Sequence, residues 1–266
     1  MTERLAPAKL NLALVVGPRG PDGRHEVATV LQRITLADRI ALEPSDGLRV
    51  DGFAEDTLVR QALEELAASA SVRPAWRIRI DKHIPVAAGL GGGSSDAAAA
   101  LRLANDTLGR PVSVEHLHAV AAGLGADIPF FLTSGPQLAE GDGTRLTPLD
   151  LPQDYWVVVA LPHGERKVST AAVYDEFDRR GGEAGFEERR AALLEALVRG
   201  DLSALPPNDL ASSPLAVELR ELGAFRADVT GAGPAVYGLF VDESQAVAAH
   251  AALAGKADVW VAGPGW

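Results

Sequence analysis

The sequence contains no cysteine, so neither a disulfide framework nor a thiolate metal site is possible. It also lacks an excess of positive charge, because 25 Lys and Arg stand against 36 Asp and Glu, for a formal net charge of −11. Nucleic-acid-binding proteins usually show a basic face, and no cluster of Lys and Arg occurs here, so we expect no nucleic-acid partner. An anionic ligand must therefore be bound by local cations and backbone donors.

Long apolar runs are missing as well. No stretch of 18 apolar residues occurs, and the segment from Tyr155 to Pro162 is far too short to span a bilayer. The first five residues, Met-Thr-Glu-Arg-Leu, do not form a basic segment followed by an apolar run, so we expect no secretory signal. We therefore expect a cytoplasmic protein with no membrane partner. Its 266 residues, 47% of them hydrophobic, suffice for one large or two modest domains.

The most informative segment is residues 85–95, Pro-Val-Ala-Ala-Gly-Leu-Gly-Gly-Gly-Ser-Ser. It follows a strand-like segment (76–80) and precedes a helix-like one (96–108). Glycine lacks the Cβ that would block a bulky anion, and it permits positive φ. The unpaired N–H groups and the positive dipole of the following helix point to the same place. The segment thus predicts a phosphate site; the alternative is a flexible surface loop, although such a loop would not run straight into a strong helix former.

Two common phosphate loops do not fit this segment. Walker A requires a lysine after the last glycine, and G-x-G-x-x-G counted from Gly89 has Ser94 at its sixth position. The segment instead resembles the P-x-x-x-G-L-G-x-S-S loop of the GHMP kinases. Its triple glycine followed by Ser-Ser-Asp is most similar to one branch of that family, which phosphorylates a cytidine-diphosphate-linked methylerythritol in the non-mevalonate isoprenoid pathway.

Three further segments are similar to motifs of the same branch. They are residues 6–12 (Ala-Pro-Ala-Lys-Leu-Asn-Leu), 125–131 (Gly-Ala-Asp-Ile-Pro-Phe-Phe) and 230–238 (Thr-Gly-Ala-Gly-Pro-Ala-Val-Tyr-Gly). The motifs occur in the family's order and at similar spacing, so the resemblance covers essentially the whole chain.

Hydrophobic periodicity and turn residues predict an α+β fold. Strands are predicted over 9–16, 28–36, 39–44, 76–80, 155–161, 227–230, 235–241 and 258–262, and a hairpin over 137–146. Helices are predicted over 57–69, 96–108, 115–122, 171–178, 187–198, 214–222 and 244–253. Prolines and acidic residues near 148–154 indicate a domain boundary, with residues 1–149 carrying the ATP loop and 150–266 carrying a substrate-side glycine loop. The resemblance implies a two-domain GHMP kinase fold, with a ribosomal S5 domain 2-like N-terminal domain and a ferredoxin-like C-terminal domain.

The resemblance also implies the reaction. ATP, with Mg²⁺, would donate a phosphoryl group to the 2-hydroxyl of the small-molecule alcohol. Two alternatives remain open: a GHMP kinase acting on homoserine or a mevalonate derivative, and a non-catalytic ligand-sensing protein on the same fold. We expect a monomer or a weak homodimer.

Asp127 and Lys9 are the predicted catalytic residues. From the residues alone, Asp127 precedes an apolar Pro-Phe-Phe run and fits a helix-terminus or turn aspartate. Lys9, in an apolar strand-like stretch, would ordinarily point outward into solvent. The resemblance implies instead that Asp127 accepts the proton of the substrate hydroxyl. Lys9 would lie beside it, keep it ionised and offset charge on the transferred phosphoryl group.

The remaining site residues fall into two groups, both implied by the resemblance. ATP is expected to bind to Lys82, Pro85, Val86, Ala87, Ala88, Gly89, Leu90, Gly91, Gly92, Gly93, Ser94 and Ser95, with Ser95 also a candidate Mg²⁺ ligand. Two alternatives stay open here: Ser94 and Ser95 as caps of the following helix, and Lys82 as a solvated residue at a strand end. The alcohol is expected to bind to Asn11, Arg24, His25, Thr170, Gly231 and Gly233.

Three residues depart from the branch pattern: Arg24, Ala232 and Ala211, which stands where the family's N-D-L-E stretch (here residues 208–211) has a glutamate. Arg24 stands where the D-G-Y-H-E turn (here residues 22–26) has a tyrosine, although a guanidinium can also stack on a base. Ala232 replaces a serine in the second glycine loop, which by itself is also consistent with a bulged hairpin. His25 has no neighbouring ligand at metal spacing, so it is expected to contact the base or to be a plain turn histidine. The stretch 208–210 is expected to be structural.

Overall fold

The computed structural model describes residues 1–21, 23–53, 57–164 and 169–265. The strands are β1 (Thr2–Arg19), β2 (His25–Pro44), β3 (Arg49–Asp51), β4 (Trp76–Asp81), β5 (Gln137–Gly141), β6 (Arg145–Pro148), β7 (Trp156–Pro162), β8 (Arg226–Val229), β9 (Val236–Phe240) and β10 (Ala257–Ala262). The helices are α1 (Leu58–Ser69), α2 (Gly92–Thr107), α3 (Val114–Leu124), α4 (Ile128–Phe131), α5 (Thr170–Arg179), α6 (Phe186–Arg199), α7 (Pro214–Glu221) and α8 (Glu243–Leu253), with a 3-10 turn at Leu202–Ala204.

The chain divides into two compact units. The first unit comprises Met1–Ala8, Leu36–Val86 and Gly91–Ser134, and the second unit comprises Lys9–Thr35, Ala87–Leu90 and Gly135–Trp266. The long strands β1 and β2 contribute residues to both units. The domain boundary that the sequence places at residues 149 and 150 stays a prediction.

In the first unit, helices α1 to α4 accompany a small sheet. Residues 39–44 of β2 pair antiparallel with β4, and β4 pairs parallel with β3. β4 alternates as predicted, since Trp76, Ile78 and Ile80 are buried and the residues between them are exposed. The run of residues 95–101 in α2 is buried throughout, and it includes the polar Ser95 and Asp96 as well as apolar residues.

In the second unit, a four-stranded antiparallel sheet has the order β10-β7-β9-β8. One core contains Phe240 and Val158 from the sheet together with Leu219 of α7 and Leu253 of α8. Residues 27–31 of β2 pair with β5, and β5 pairs with β6 as the predicted hairpin. The α+β prediction is therefore confirmed. Within the described part of the chain, no helix is both long and apolar enough to cross a membrane.

One strand prediction is wrong in an informative way. The sequence predicts separate strands over 28–36 and 39–44, yet the structure has the single strand β2. The acid Asp38 suggests an exposed break between them, but its side chain is fully buried. Its carboxylate accepts hydrogen bonds from the backbone N–H groups of His83 and Ile84 and from the ammonium of Lys82. These partners allow the strand to continue through an acidic residue.

Candidate active site

The glycine-rich segment leads into α2, and the helix begins at Gly92 rather than at Asp96 as predicted. Gly91 precedes the helix with φ of 70°, a left-handed conformation that favours glycine. Ser94 and Ser95 consequently lie inside the first turn, so the alternative that they cap the helix is wrong. A Cβ added to Gly93 would meet no described atom within 4 Å. The first turn of α2 therefore presents its backbone N–H groups on an open side.

Ser95 lies in this first turn with its side chain buried. Its Oγ has no hydrogen-bond partner among the described residues. A buried hydroxyl is normally paired, so an orphaned one beside open helix N–H groups is suited to an external polar ligand. This observation fits a nucleotide phosphate or its metal ion.

Lys82 lies at the end of β4 and joins two fully buried carboxylates in the first unit. Its Nζ is 2.5 Å from Oδ2 of Asp38 and 2.8 Å from Oδ2 of Asp96. Burial by itself would lower the pKa of Lys82, but the charges and hydrogen bonds of Asp96 and Asp38 outweigh burial and raise it. The solvated-lysine alternative is wrong, and the contact of Lys82 with ATP stays a prediction.

Asp127 immediately precedes α4, as the helix-terminus interpretation requires. Its side chain makes no capping bond to that helix in the described structure. All four residues of α4 are buried. The guanidinium of Arg102 donates to the carbonyl of Leu132, at the end of the helix, with Nη2 and O 2.5 Å apart. Asp127 thus directly precedes a short, buried helix whose end is held by Arg102.

Lys9 and Asn11 lie side by side on β1 in the second unit. The Lys9 side chain is buried, and its Nζ donates to Oδ1 of Asn11 at 2.6 Å. The solvated alternative for Lys9 is therefore wrong, and the predicted common strand face is confirmed. Nδ2 of Asn11 donates to Oγ1 of Thr29, which donates in turn to the carbonyl of Ala13. This chain of donors fixes the amide orientation of Asn11, so its Oδ1 faces the lysine.

The two glycine loops meet within the second unit. A Cβ added to Gly89 would lie 2.4 Å from the carbonyl O of Thr230, so only glycine fits there. A Cβ on Gly231 would lie 3.3 Å from the carbonyl O of Gly89, 3.4 Å from Oδ1 of Asn11 and 3.5 Å from Nζ of Lys9. The loop of residues 230–233, called the substrate loop below, therefore lies directly against Lys9 and Asn11. The substrate loop therefore does not only connect β8 to β9, because it also packs against these two predicted site residues.

His25 begins β2, so the turn-histidine alternative is wrong. Its Nδ1 is 2.9 Å from the carbonyl O of Gly17, and its Nε2 is 3.2 Å from Oδ1 of Asp178. The ring stacks on Tyr174 of α5 with centroids 4.9 Å apart. Thr170 is the first residue of the same helix. The structure thus brings His25 to the helix that Thr170 begins.

Arg24 is exposed and bound to an acid. Its Nη1 is 2.7 Å from Oδ2 of Asp142, in the turn of the β5–β6 hairpin. Asp22 and Val168, which belong to the motifs around Arg24 and Thr170, lie outside the described residues.

Three residues at the site carry no role in the sequence-based prediction. Thr29 and Thr230 orient Asn11, because the backbone N–H of Asn11 donates to Oγ1 of Thr230 at 3.0 Å. Asp38 holds Lys82 and the backbone of Ile84, the residue just before the glycine-rich segment. The available signal was an isolated polar residue in an apolar strand, which indicates a buried partner without identifying it.

Comparison with known proteins places this geometry in a class. The family model described as "GHMP kinases N terminal domain" matches residues 57–135, and "GHMP kinases C terminal" matches residues 193–258. A crystal structure of homoserine kinase from Cytophaga hutchinsonii superposes with a TM-score of 0.74 at 16% identity, covering 98% of this chain and 94% of that one. That likeness shows the fold alone. The two domain matches and the glycine loops define the protein as a GHMP kinase.

Two curated relatives and one crystal structure identify the branch of the GHMP kinases to which the chain is similar. The 4-diphosphocytidyl-2-C-methyl-D-erythritol kinase of Streptomyces coelicolor is 39% identical over 264 residues, covering 90% of this chain and 88% of the relative. That of Geobacter metallireducens is 38% identical, covering 96% and 95%. A crystal structure of 4-(cytidine 5'-diphospho)-2C-methyl-D-erythritol kinase has a TM-score of 0.83 at 35% identity over 100% of both chains. The chain therefore belongs to the 4-diphosphocytidyl-2-C-methyl-D-erythritol kinase family. The resemblance and the fold class are confirmed.

Proposed function

We propose that this chain transfers the γ-phosphoryl group of ATP to the 2-hydroxyl of 4-diphosphocytidyl-2-C-methyl-D-erythritol, giving the 2-phosphate and ADP. The observation that carries this proposal is a lysine buried in an apolar strand, paired with Asn11 and lying against the substrate loop. Burying an ammonium is costly unless it is paired and hydrogen-bonded, and the Oδ1 of Asn11 supplies one of these hydrogen bonds. The names of relatives that share most of the chain support the same reaction.

ATP would bind to the glycine-rich segment and the first turn of α2. Gly91, Gly92 and Gly93 leave the helix N–H groups accessible to phosphate oxygens, and the Oγ of Ser95 would supply a further ligand. Among the described residues, no group of three His, Asp or Glu could hold a metal ion. When bound, Mg²⁺ would be held mainly by phosphates and water and would offset their charge.

Three residues of the chain would bind, orient and deprotonate the alcohol. Lys9 and Asn11 hold and orient the reacting hydroxyl, with Asn11 supplying both a donor and an acceptor. Asp127 accepts the hydroxyl proton as the phosphoryl group is transferred. In a loose transition state the proton leaves late, so accurate placement of the hydroxyl matters more than the basicity of the carboxylate.

The substrate loop would bind the diphosphate of the alcohol. Its Gly233 N–H donates to the carbonyl O of Thr230 at 3.0 Å, so within the described chain the N–H groups of Gly231 and Ala232 are the ones suited to an anion. Arg24, His25 and Thr170 would bind the cytidine end.

ADP release with Mg-ATP and 4-diphosphocytidyl-2-C-methyl-D-erythritol tests the proposal, with homoserine and mevalonate as control alcohols. Turnover of the cytidine compound alone supports it and shows that Arg24 can replace the family's tyrosine. Turnover of a control alcohol alone would reject the substrate and retain the kinase chemistry. Binding of ATP without turnover of any alcohol would favour a ligand-sensing role. The monomeric or weakly dimeric state and the cytoplasmic location stay predictions.

A further inference from the structure

Asn208 lies between α6 and α7 and is buried, although it belongs to no helix or strand. Its Nδ2 donates to the carbonyl O of Gly231 at 2.7 Å and to that of Val229 at 2.9 Å. Its Oδ1 accepts from the N–H of Leu210 at 2.8 Å. Its backbone N–H donates to Oδ2 of Asp228 at 2.8 Å. The Asn208 side chain therefore holds β8 at the carbonyl of Val229 and the substrate loop at the carbonyl of Gly231.

The carbonyl of Gly231 is the point at which this side chain reaches the site. Gly231 is the residue whose Cβ position lies within 3.5 Å of both Oδ1 of Asn11 and Nζ of Lys9. A peptide plane that is fixed through its carbonyl also fixes the direction of the following N–H, that of Ala232, because the peptide unit is planar. Asn208 thus sets the orientation of an amide that we assign to the substrate's diphosphate.

The neighbouring parts of the site have anchors of their own. The N–H of Lys9 donates to the carbonyl O of Leu90 at 2.9 Å, and the N–H of Ala235 donates to that of Ala88 at 3.1 Å. These backbone bonds hold residues 87–90 of the glycine-rich segment, and Thr29 holds Asn11. Loss of the Asn208 amide would therefore act on the substrate loop and leave these other contacts in place.

We propose that Asn208 is a positioning residue for the alcohol substrate, acting through the peptide between Gly231 and Ala232 in the substrate loop. The proposal rests on the proposed function, since it assigns that loop to the substrate's diphosphate. Contact with ATP plays no part in this mechanism. Loss of the Asn208 amide should therefore weaken binding of the alcohol much more than binding of ATP.

The test compares Asn208→Asp with wild type in the purified full chain. Aspartate keeps the size and the acceptor but replaces the Nδ2 donor with an oxygen that faces two carbonyls. We expect the KM and the calorimetric Kd for the alcohol to rise about tenfold or more, and the KM for ATP to change less than about twofold. Asn208→Ser, which adds no charge, provides the same comparison if the aspartate variant does not fold.

Asn105→Asp is the matched control. Asn105 is also buried, and it also holds backbone through both ends of its amide, with Nδ2 2.9 Å from the carbonyl O of Val112 and Oδ1 3.2 Å from its N–H. It should lose thermal stability without a selective change in the alcohol KM. Equal effects of Asn208 and Asn105 variants on both substrates, or an unchanged alcohol KM at Asn208, would overturn the proposal. A wild-type chain that binds the alcohol without turnover would reject the proposed function, and the Kd comparison would still decide on Asn208; failure of wild type to bind the alcohol would reject both.

Discussion

At the residue scale, the proposed chemistry falls on side chains whose burial is unusual for their type. Lys9 and Asn11 are buried polar residues in an apolar strand, and their mutual hydrogen bond compensates part of the cost. Ser95 carries a buried hydroxyl without a described partner. A buried hydroxyl of this kind is a candidate for contact with a ligand, because buried polar groups are normally hydrogen-bonded.

Replacing Asp127 with asparagine should lower turnover by about two to four orders of magnitude, because the amide cannot accept the hydroxyl proton. ATP affinity should be nearly unchanged. Steady-state ADP release and calorimetric ATP binding measure the two quantities. Asp242→Asn is the matched control, since Asp242 also precedes a helix, α8, without capping it in the described structure. Near-normal turnover of Asp127→Asn would reject its role as a base.

Lys82 provides a pH-dependent contribution to stability. Its pKa is raised above 10.5 in the fold, because the paired acids outweigh the opposing effect of burial. A group whose pKa is raised in the folded state stabilises the fold fully at pH values below its unfolded pKa. This stabilisation is lost as the pH rises through the folded pKa. The difference in unfolding free energy between wild type and Lys82→Met should therefore be constant to about pH 10 and shrink above it. Lys256→Met, at an exposed ion pair with Glu218, is the control. A difference that grew with pH would contradict this account.

At the scale of elements, the start of α2 combines residues that lower helix stability with open access to the backbone N–H groups of the helix. Glycine is a poor helix residue, yet α2 begins with Gly92 and Gly93. The position of a Cβ on Gly93 is open in the described structure, so packing does not require glycine there. Access to the helix N–H groups is the remaining reason for it.

Gly93→Ala should accordingly raise the unfolding free energy by about 0.5 to 1 kcal/mol and weaken ATP binding at the same time. Gly123 lies near the end of α3, and its Cβ position is also open to described atoms. Gly123→Ala should therefore give a comparable stability change with unaltered ATP binding. Denaturant unfolding and ATP titration measure both effects. Equal ATP affinities for the two variants would exclude a phosphate contact at Gly93.

At the scale of the whole molecule, strand β1 from the early part of the sequence is hydrogen-bonded within the second unit to residues of β8 and β9 from its late part. Oη of Tyr237 on β9 donates to the carbonyl O of Leu12 on β1 at 2.8 Å. Nε of the buried Arg226 donates to the same carbonyl at 2.7 Å. Burial raises the pKa of Tyr237 to about 12, so the phenol remains a donor at neutral pH. This linkage fixes β1 one residue beyond Asn11.

Tyr237→Phe should lower the unfolding free energy by about 1 to 3 kcal/mol, because it removes the donor to Leu12 and the oxygen that accepts from Nε of Arg226 at 2.9 Å. Tyr155 offers an internal comparison, because its buried Oη has no hydrogen-bond partner among the described residues. Tyr155→Phe should be neutral or stabilising, since it removes an unsatisfied polar group. Denaturant midpoints of the two variants decide the matter. A larger loss for Tyr155→Phe would contradict the hydrogen-bond assignment.

The sequence alone determined the class of fold, the order of most elements and the residues of the four motifs. Periodicity of two or 3.6 residues and the turn chemistry of glycine and proline are local properties. They predicted β4, the β5–β6 hairpin and most helices closely, but they missed α4. Only the tertiary structure decided the continuity of β2, the early start of α2 and the burial of Lys9 and Lys82. Each of these depends on partners that are distant in sequence, such as Asp38 for Lys82, and local patterns carry no information about which polar groups will meet.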